Sequence, residues 1–137
     1  MREIFFKAKR IDSGEWVEGY YHKRYSFLGN EEHLIFHADS YKVWKYAEID
    51  PETLCQFTGL CDKNGKKIWE NDILMAHLDE SYPEDATYEA VEWGVAGWVA
   101  HEANSIDRQY IDEFDLEHYE VVGNIFDNKE LLQEGYK

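Results

Sequence analysis

Cysteine and proline are both scarce, with two of each in 137 residues. Two cysteines, Cys55 and Cys61, cannot staple a disulfide scaffold. They read as two half-buried thiols, reduced in a cytosol. The low proline count and the lack of biased repeats argue against a disordered chain. No run approaches the ~20 apolar residues of a membrane span, and Met1 to Lys7 lacks the apolar core of a signal peptide. No Asn-x-Ser/Thr acceptor occurs. A protein of the cytoplasm, within a bacterial host cell, is the expectation. Also missing are Gly-x-Gly-x-x-Gly, a phosphate-binding Lys loop and a Gly-x-Ser-x-Gly elbow. Gly94-Val95-Ala96-Gly97 is too short and too acidic in context to cradle phosphate.

Positive charge is scarce in one part of the chain. Met1 to Leu78 holds 11 Lys+Arg against 13 Asp+Glu, whereas Asp79 to Lys137 holds 3 against 16. The second stretch therefore carries −13 of the net −15. Such a surface repels phosphate backbones and anionic membranes and attracts basic partners or cations. Aromatics are abundant instead, at 16% of residues. Each buries roughly 150–250 Å² when inside, so one domain of this length can build a core unaided.

The stretch Gln56 to Leu74 organises the chain. Asp62-Lys63-Asn64-Gly65 predicts a tight hairpin turn, because Asn-Gly tolerates positive φ. Leu60, Ile68, Trp69, Ile73 and Leu74 lie on the arms, and the charges sit at the tip. Elsewhere period-two alternation predicts strands over Glu3–Ile11, Trp16–Tyr21, Glu32–His37 and Tyr41–Ile49. The same pattern marks Ile73–Leu78, Thr87–Trp93, Trp98–Ala100 and Tyr119–Phe126. Asp50 caps a short helical turn with Pro51 at its first position. Tyr110–Leu116 fits strand or helix. Gly123 marks a bulge or a close backbone approach. Asp127–Gln133 forms a short C-terminal helix with Asn128 as its cap. Many short strands and no long helical period give a mostly-β domain.

Two stretches together resemble the YopX family of phage and prophage proteins. One runs from Gln56-Phe57-Thr58-Gly59-Leu60 through Asp62-Lys63-Asn64-Gly65-Lys66 to Glu70-Asn71-Asp72-Ile73. The other is Tyr119-Glu120-Val121-Val122-Gly123-Asn124-Ile125-Phe126-Asp127-Asn128 with Glu130-Leu131-Leu132. The family usually has Gly-Asp at Asn71-Asp72, and Asn also tolerates left-handed backbone. The resemblance implies a small SH3-like barrel with an N-terminal β extension and a short C-terminal helix. It implies a single domain over residues 1–137, with hairpins in 1–54 and the barrel and acidic part in 55–137. It makes self-assembly the expected behaviour and supplies no catalytic residues.

Several clusters of side chains are candidate sites. His33 and His37 share a face, but no Glu follows His33 to make a His-Glu-x-x-His site. Cys55 and Cys61 are spaced too widely for a zinc knuckle, which would have to recruit His22 or His77. Asp79, Glu80, Glu84 and Asp85 do not match the calcium loop. Asp107, Asp112, Glu113, Asp115, Glu117 and His118 form a carboxylate-rich neighbourhood suited to acid–base work only if burial moves their pKa values. Lys7, Lys9, Arg10, Lys23 and Arg24 make a modest basic patch near aromatics. The acidic remainder opposes it, so direct nucleic-acid binding is not expected. No cofactor is expected either.

Three readings remain. The first is a non-enzymatic, self-assembling interaction module with Trp44, Trp93, Trp98, Tyr110 and Tyr119 as anchors. The second is an acidic mimic of DNA that captures a basic or DNA-binding host protein through Asp112, Asp115 and Glu117. The third is a metal-dependent enzyme using His33/His37 or the carboxylates of Asp107 to His118.

Overall fold

The computed structural model describes residues 4–76, 86–103 and 105–134. The chain divides into two compact units, residues 1–57 and 58–137.

The first unit holds β1 (Phe6–Lys9), β2 (Trp16–Tyr25), β3 (Glu31–Ala38), β4 (Trp44–Glu48), a 3-10 turn (Pro51–Thr53) and the start of β5 (Cys55–Cys61). All pairs are antiparallel hairpin neighbours, and β1 also pairs with β5 through Phe6–Gln56 and Lys7–Cys55. Ala8, Ile35 and Ile49 are buried together, with Phe6, Val17, Tyr21 and Leu54 packed on them. Asp50 caps the 3-10 turn as expected, its Oδ1 accepting from Glu52 N–H at 3.0 Å. The strand β2 runs four residues past its predicted end. Cross-strand ion pairs Lys23–Glu31 and Arg24–Glu32 support this polar extension. The predicted strand over Tyr41–Ile49 starts late, at Trp44. Asp39 Oδ1 accepts from the N–H of Tyr41 and Val43, and Lys42 takes φ +61°, so a tight turn consumes the first residues.

The second unit continues with β6 (Lys67–Trp69), β7 (Asp72–Ala76), β8 (Thr87–Trp93), β9 (Trp98–Glu102), β10 (Gln109–Tyr110), α1 (Glu113–Leu116), β11 (Tyr119–Asn124) and α2 (Lys129–Glu134). Hydrogen bonding orders the strands β4-β3-β2-β1-β5-β6 in one sheet and β10-β9-β8-β7-β11 in the other. The result is mostly β, with two antiparallel sheets and short helices. The described strands form two open sheets rather than a closed barrel, since no pairing joins the edges of either sheet.

The organising hairpin forms as its sequence predicts. Gly65 takes φ +80°, and its N–H donates to Asp62 O at 3.0 Å. Asn71 adopts φ +70°, the left-handed backbone that asparagine tolerates. Asp72 Oδ2 accepts from Trp69 N–H at 2.8 Å, closing that second turn. Asp62 is buried. Its Oδ1 accepts from Asn64 and Lys66 N–H, and its Oδ2 accepts from Val121 N–H at 2.9 Å. The hairpin tip is thereby tied to β11, which lies 59 residues away.

Gly123 produces both features expected of it. The β11–β7 register shifts between Val121 and Gly123, and a Cβ there would stand 2.4 Å from Asn128 Oδ1. Asn128 stands at the expected cap position, its carbonyl accepting from Leu131 N–H at 3.0 Å. Its side chain turns back and accepts from Asn124 N–H at 3.1 Å. The ambiguous Tyr110 region resolves into both answers, β10 followed by the single turn of α1. The two thiols differ: Cys55 is buried and donates to Thr53 O, whereas Cys61 is exposed. No helix among the described residues is long and apolar enough to cross a membrane.

Candidate functional site: an acidic cavity on the second unit

Cross-strand partners share a face of a sheet, and alternate residues switch faces. In the second unit, Leu74, Val91 and Val121 define the inward face and are buried in one cluster with Ile68 and Tyr119. Two residues before Val91 on β8 stands Glu89, opposite Glu102 of β9 and Leu74 of β7. A carboxylate therefore occupies an apolar position where the core opens. A cavity of about 480 Å³ begins there, floored by Ala76, Thr87, Glu89, Ala100 and Tyr119. Glu102, Asp107, Asp115 and His118 stand around it.

Burial is the largest influence on Glu89 and raises its pKa, with the charges of Glu102 and Asp115 acting in the same direction. Hydrogen bonds from Tyr119 and Thr87 offset part of this. The Tyr119 phenol is pushed up in turn, first by its own burial and then by Glu89 beside it. The pair keeps its protons over a wider pH range than free side chains would. A cavity with this lining accepts hydrogen bonds and favours positively charged groups.

The structure sorts the residues singled out in the sequence. Asp107, Asp115 and His118 reach the cavity, whereas Asp112, Glu113 and Glu117 are exposed around α1. Asp112 and Asp115 also form a reciprocal capping box, each side chain accepting from the other's backbone N–H. Their role in the local fold is therefore structural as well as electrostatic. Sequence reasoning missed Glu89 and Tyr119 as a pair. The available signal was an acidic residue in phase with Val91 and Trp93 along Thr87–Trp93.

His33 is engaged inside the first unit. Its Nδ1 lies 2.5 Å from Tyr21 Oη, and its Nε2 lies 3.5 Å from Glu31. Among the described residues, no three His, Cys, Asp or Glu side chains stand where they could share a metal ion. His77 and the acidic loop Asp79–Asp85 lie outside the described residues.

The five candidate anchors divide. Trp44, Trp93 and Tyr110 are 60%, 54% and 52% exposed. Trp98 is half-buried against the core and meets Trp93 edge-on at 4.9 Å. Tyr119 is only 6% exposed and belongs to the core. On the outward face of the first unit's sheet, Trp44 lies 6.0 Å from Tyr20, and Tyr20 lies 5.8 Å from Phe5. Tyr46 meets Phe36 at 5.9 Å on the same face. Cations of the basic patch lie over these rings: Lys7 over Trp16 at 4.6 Å and Arg24 over Tyr46 at 5.1 Å. Glu18, Glu32 and Glu48 share this face by register, so it is electrically mixed rather than basic.

Comparison with known proteins places this architecture. The crystal structure of protein EF1440 from Enterococcus faecalis has a similar fold, with a TM-score of 0.60 at 21% identity. The match covers 96% of this chain and 99% of that one. No curated protein matches the chain. The family model described as YopX protein matches residues 6–133, nearly the whole chain. The chain belongs to the YopX protein family.

Proposed function

We propose that this protein is a phage- or prophage-encoded, non-enzymatic interaction module that associates with itself. The observation that carries the reading is exposed aromatic surface on both units: Tyr20, Trp44 and Tyr46 on the first, Trp93 and Tyr110 on the second. Aromatics dominate interface energetics, and leaving such rings in water has no benefit for the fold itself. Phage or prophage origin rests on the family resemblance. Light scattering coupled to size-exclusion chromatography tests the association. The expected result is a mass above that of one chain, falling on dilution. A single-chain mass at the highest soluble concentration would remove the self-association.

A second reading, mimicry of DNA, is favoured by the concentration of charge. The exposed carboxylates of Asp107, Glu113 and Glu117 project from the acidic part. Here the protein would capture a DNA-binding host protein, and duplex DNA would compete. Charge reversal at Asp107, Glu113 and Glu117 is the better probe, because reversing Asp112 or Asp115 breaks the capping box.

A further inference from the structure

The cavity beside Glu89 measures about 480 Å³, within the range of sites that enclose small ligands. Ala76 and Ala100 make part of its floor apolar. Four carboxylates line the same space from four segments: Glu89 on β8, Glu102 on β9, Asp107 in the loop before β10, and Asp115 in α1. Among the described residues, no lysine or arginine lines it. Arg108, beside Asp107 in sequence, is engaged by Glu92 and by Ser105 O, the latter at 2.9 Å. His101 does line the cavity, but its ring is held at both nitrogens. Its Nε2 faces Glu92 at 3.3 Å and its Nδ1 lies 3.1 Å from Glu102 O. The hollow thus offers acceptors on several sides and no fixed cation from the described residues.

A bare metal ion does not suit this arrangement. Hard cations draw their oxygen ligands in to roughly 2.0–2.6 Å. Among the described residues, no three His, Cys, Asp or Glu side chains stand where they could share one ion. The carboxylates are spread around the hollow, so a matching cation must carry donors that point several ways. A guanidinium does so: it is planar, always charged, weakly hydrated and has its N–H donors in a rigid fork. An ammonium is a compact, strongly hydrated point charge. An alkyl stem behind the charged head suits the alanine floor. A cation beside Glu89 also displaces the proton that burial, Glu102 and Asp115 lead that carboxylate to keep.

We propose that the cavity binds an alkyl guanidinium group, its head among Glu89, Glu102 and Asp115 and its stem over Ala76 and Ala100. This assigns a ligand class to the site and is independent of self-association.

Titration of the full chain with butylguanidinium, butylammonium and uncharged butylurea tests the proposal, followed by backbone amide shifts in nuclear magnetic resonance. Butylguanidinium should shift the amides of Glu89, Ala100 and Tyr119 and saturate at about millimolar concentration. Butylurea has nearly the same shape without the charge and should bind ~10-fold or more weakly, with butylammonium between the two. Glu89→Gln, and separately Glu102→Gln at the exposed rim, should each weaken butylguanidinium ~10-fold, as for loss of a hydrogen bond between charged groups. The control Glu113→Gln, exposed and outside the cavity, should leave binding unchanged. The group has two sources, a free small molecule or an arginine side chain of a partner. A blocked pentapeptide with arginine among glycines tells them apart: it binds as tightly as butylguanidinium if the cavity takes a side chain, and fails to bind if it takes a free molecule. No shift of the cavity amides, equal binding of butylurea, or unchanged binding in both cavity variants would overturn the proposal. Tighter binding of butylammonium would overturn the assignment to guanidinium.

Discussion

Asp62 shows how much one side chain contributes here. Its burial opposes ionisation more than any other single influence. The N–H groups of Val121, Lys66 and Asn64 together outweigh that cost and hold its pKa below the usual carboxylate value. The stability this adds is fully present above an ordinary unfolded value near 4. It is lost as pH falls through the depressed folded value. Asp62→Ala orphans these donors and should cost about 2–4 kcal/mol at neutral pH, measured by urea unfolding. The deficit should shrink toward the acid limb, where the wild-type carboxylate also becomes protonated. Glu89 acts in the opposite sense. Its raised folded pKa makes stability fall as pH rises from the ordinary value of 4.5 toward the folded one. Glu89→Gln should flatten that part of the thermal-stability profile; an unchanged profile would show that Glu89 is not held protonated by the fold.

At the scale of elements, the two stretches that carry the family resemblance meet in space. Strands β7 and β11 pair directly, Lys63 N–H donates to Tyr119 O at 3.1 Å, and Ile125 N–H donates to Asn71 O at 3.0 Å. The motif residues thus hold the hairpin against β11 and are used in the fold. That is why they identify a family without pointing to a reaction. The join between β11 and α2 depends on Gly123. Gly123→Ala puts a methyl against Asn128 and should cost about 1–3 kcal/mol. Adding Asn128→Gly removes the obstruction, so the double variant should lose less than the sum of the single losses in a thermodynamic cycle.

For the whole molecule, negative charge outweighs every other feature of the surface. Residues 79–137 carry −13 of the net −15, and like charges repel one another. Raising ionic strength from low to physiological should raise the melting temperature by a few degrees, followed by circular dichroism. A melting temperature that fell with salt would mean that ion pairs such as Arg108–Glu92 and Lys23–Glu31 outweigh the repulsion.

The mostly-β class, the Asp62–Gly65 turn, the Asp50 cap and the special role of Gly123 were legible in sequence. Each depends on local backbone chemistry: a turn that needs positive φ, a capping oxygen, or alternation with period two. The family was legible too, because its residues recur at fixed spacings. Two open sheets in place of a barrel, the retreat of Tyr119 into the core with Trp98 half-buried against it, and the Glu89 cavity were settled only in three dimensions. Those outcomes depend on which strand lies beside which, and on what covers a face once strands have paired. Alternation placed Glu89 in phase with Val91, but only the pairing of β8 with β7 and β9 set that carboxylate at the edge of a core.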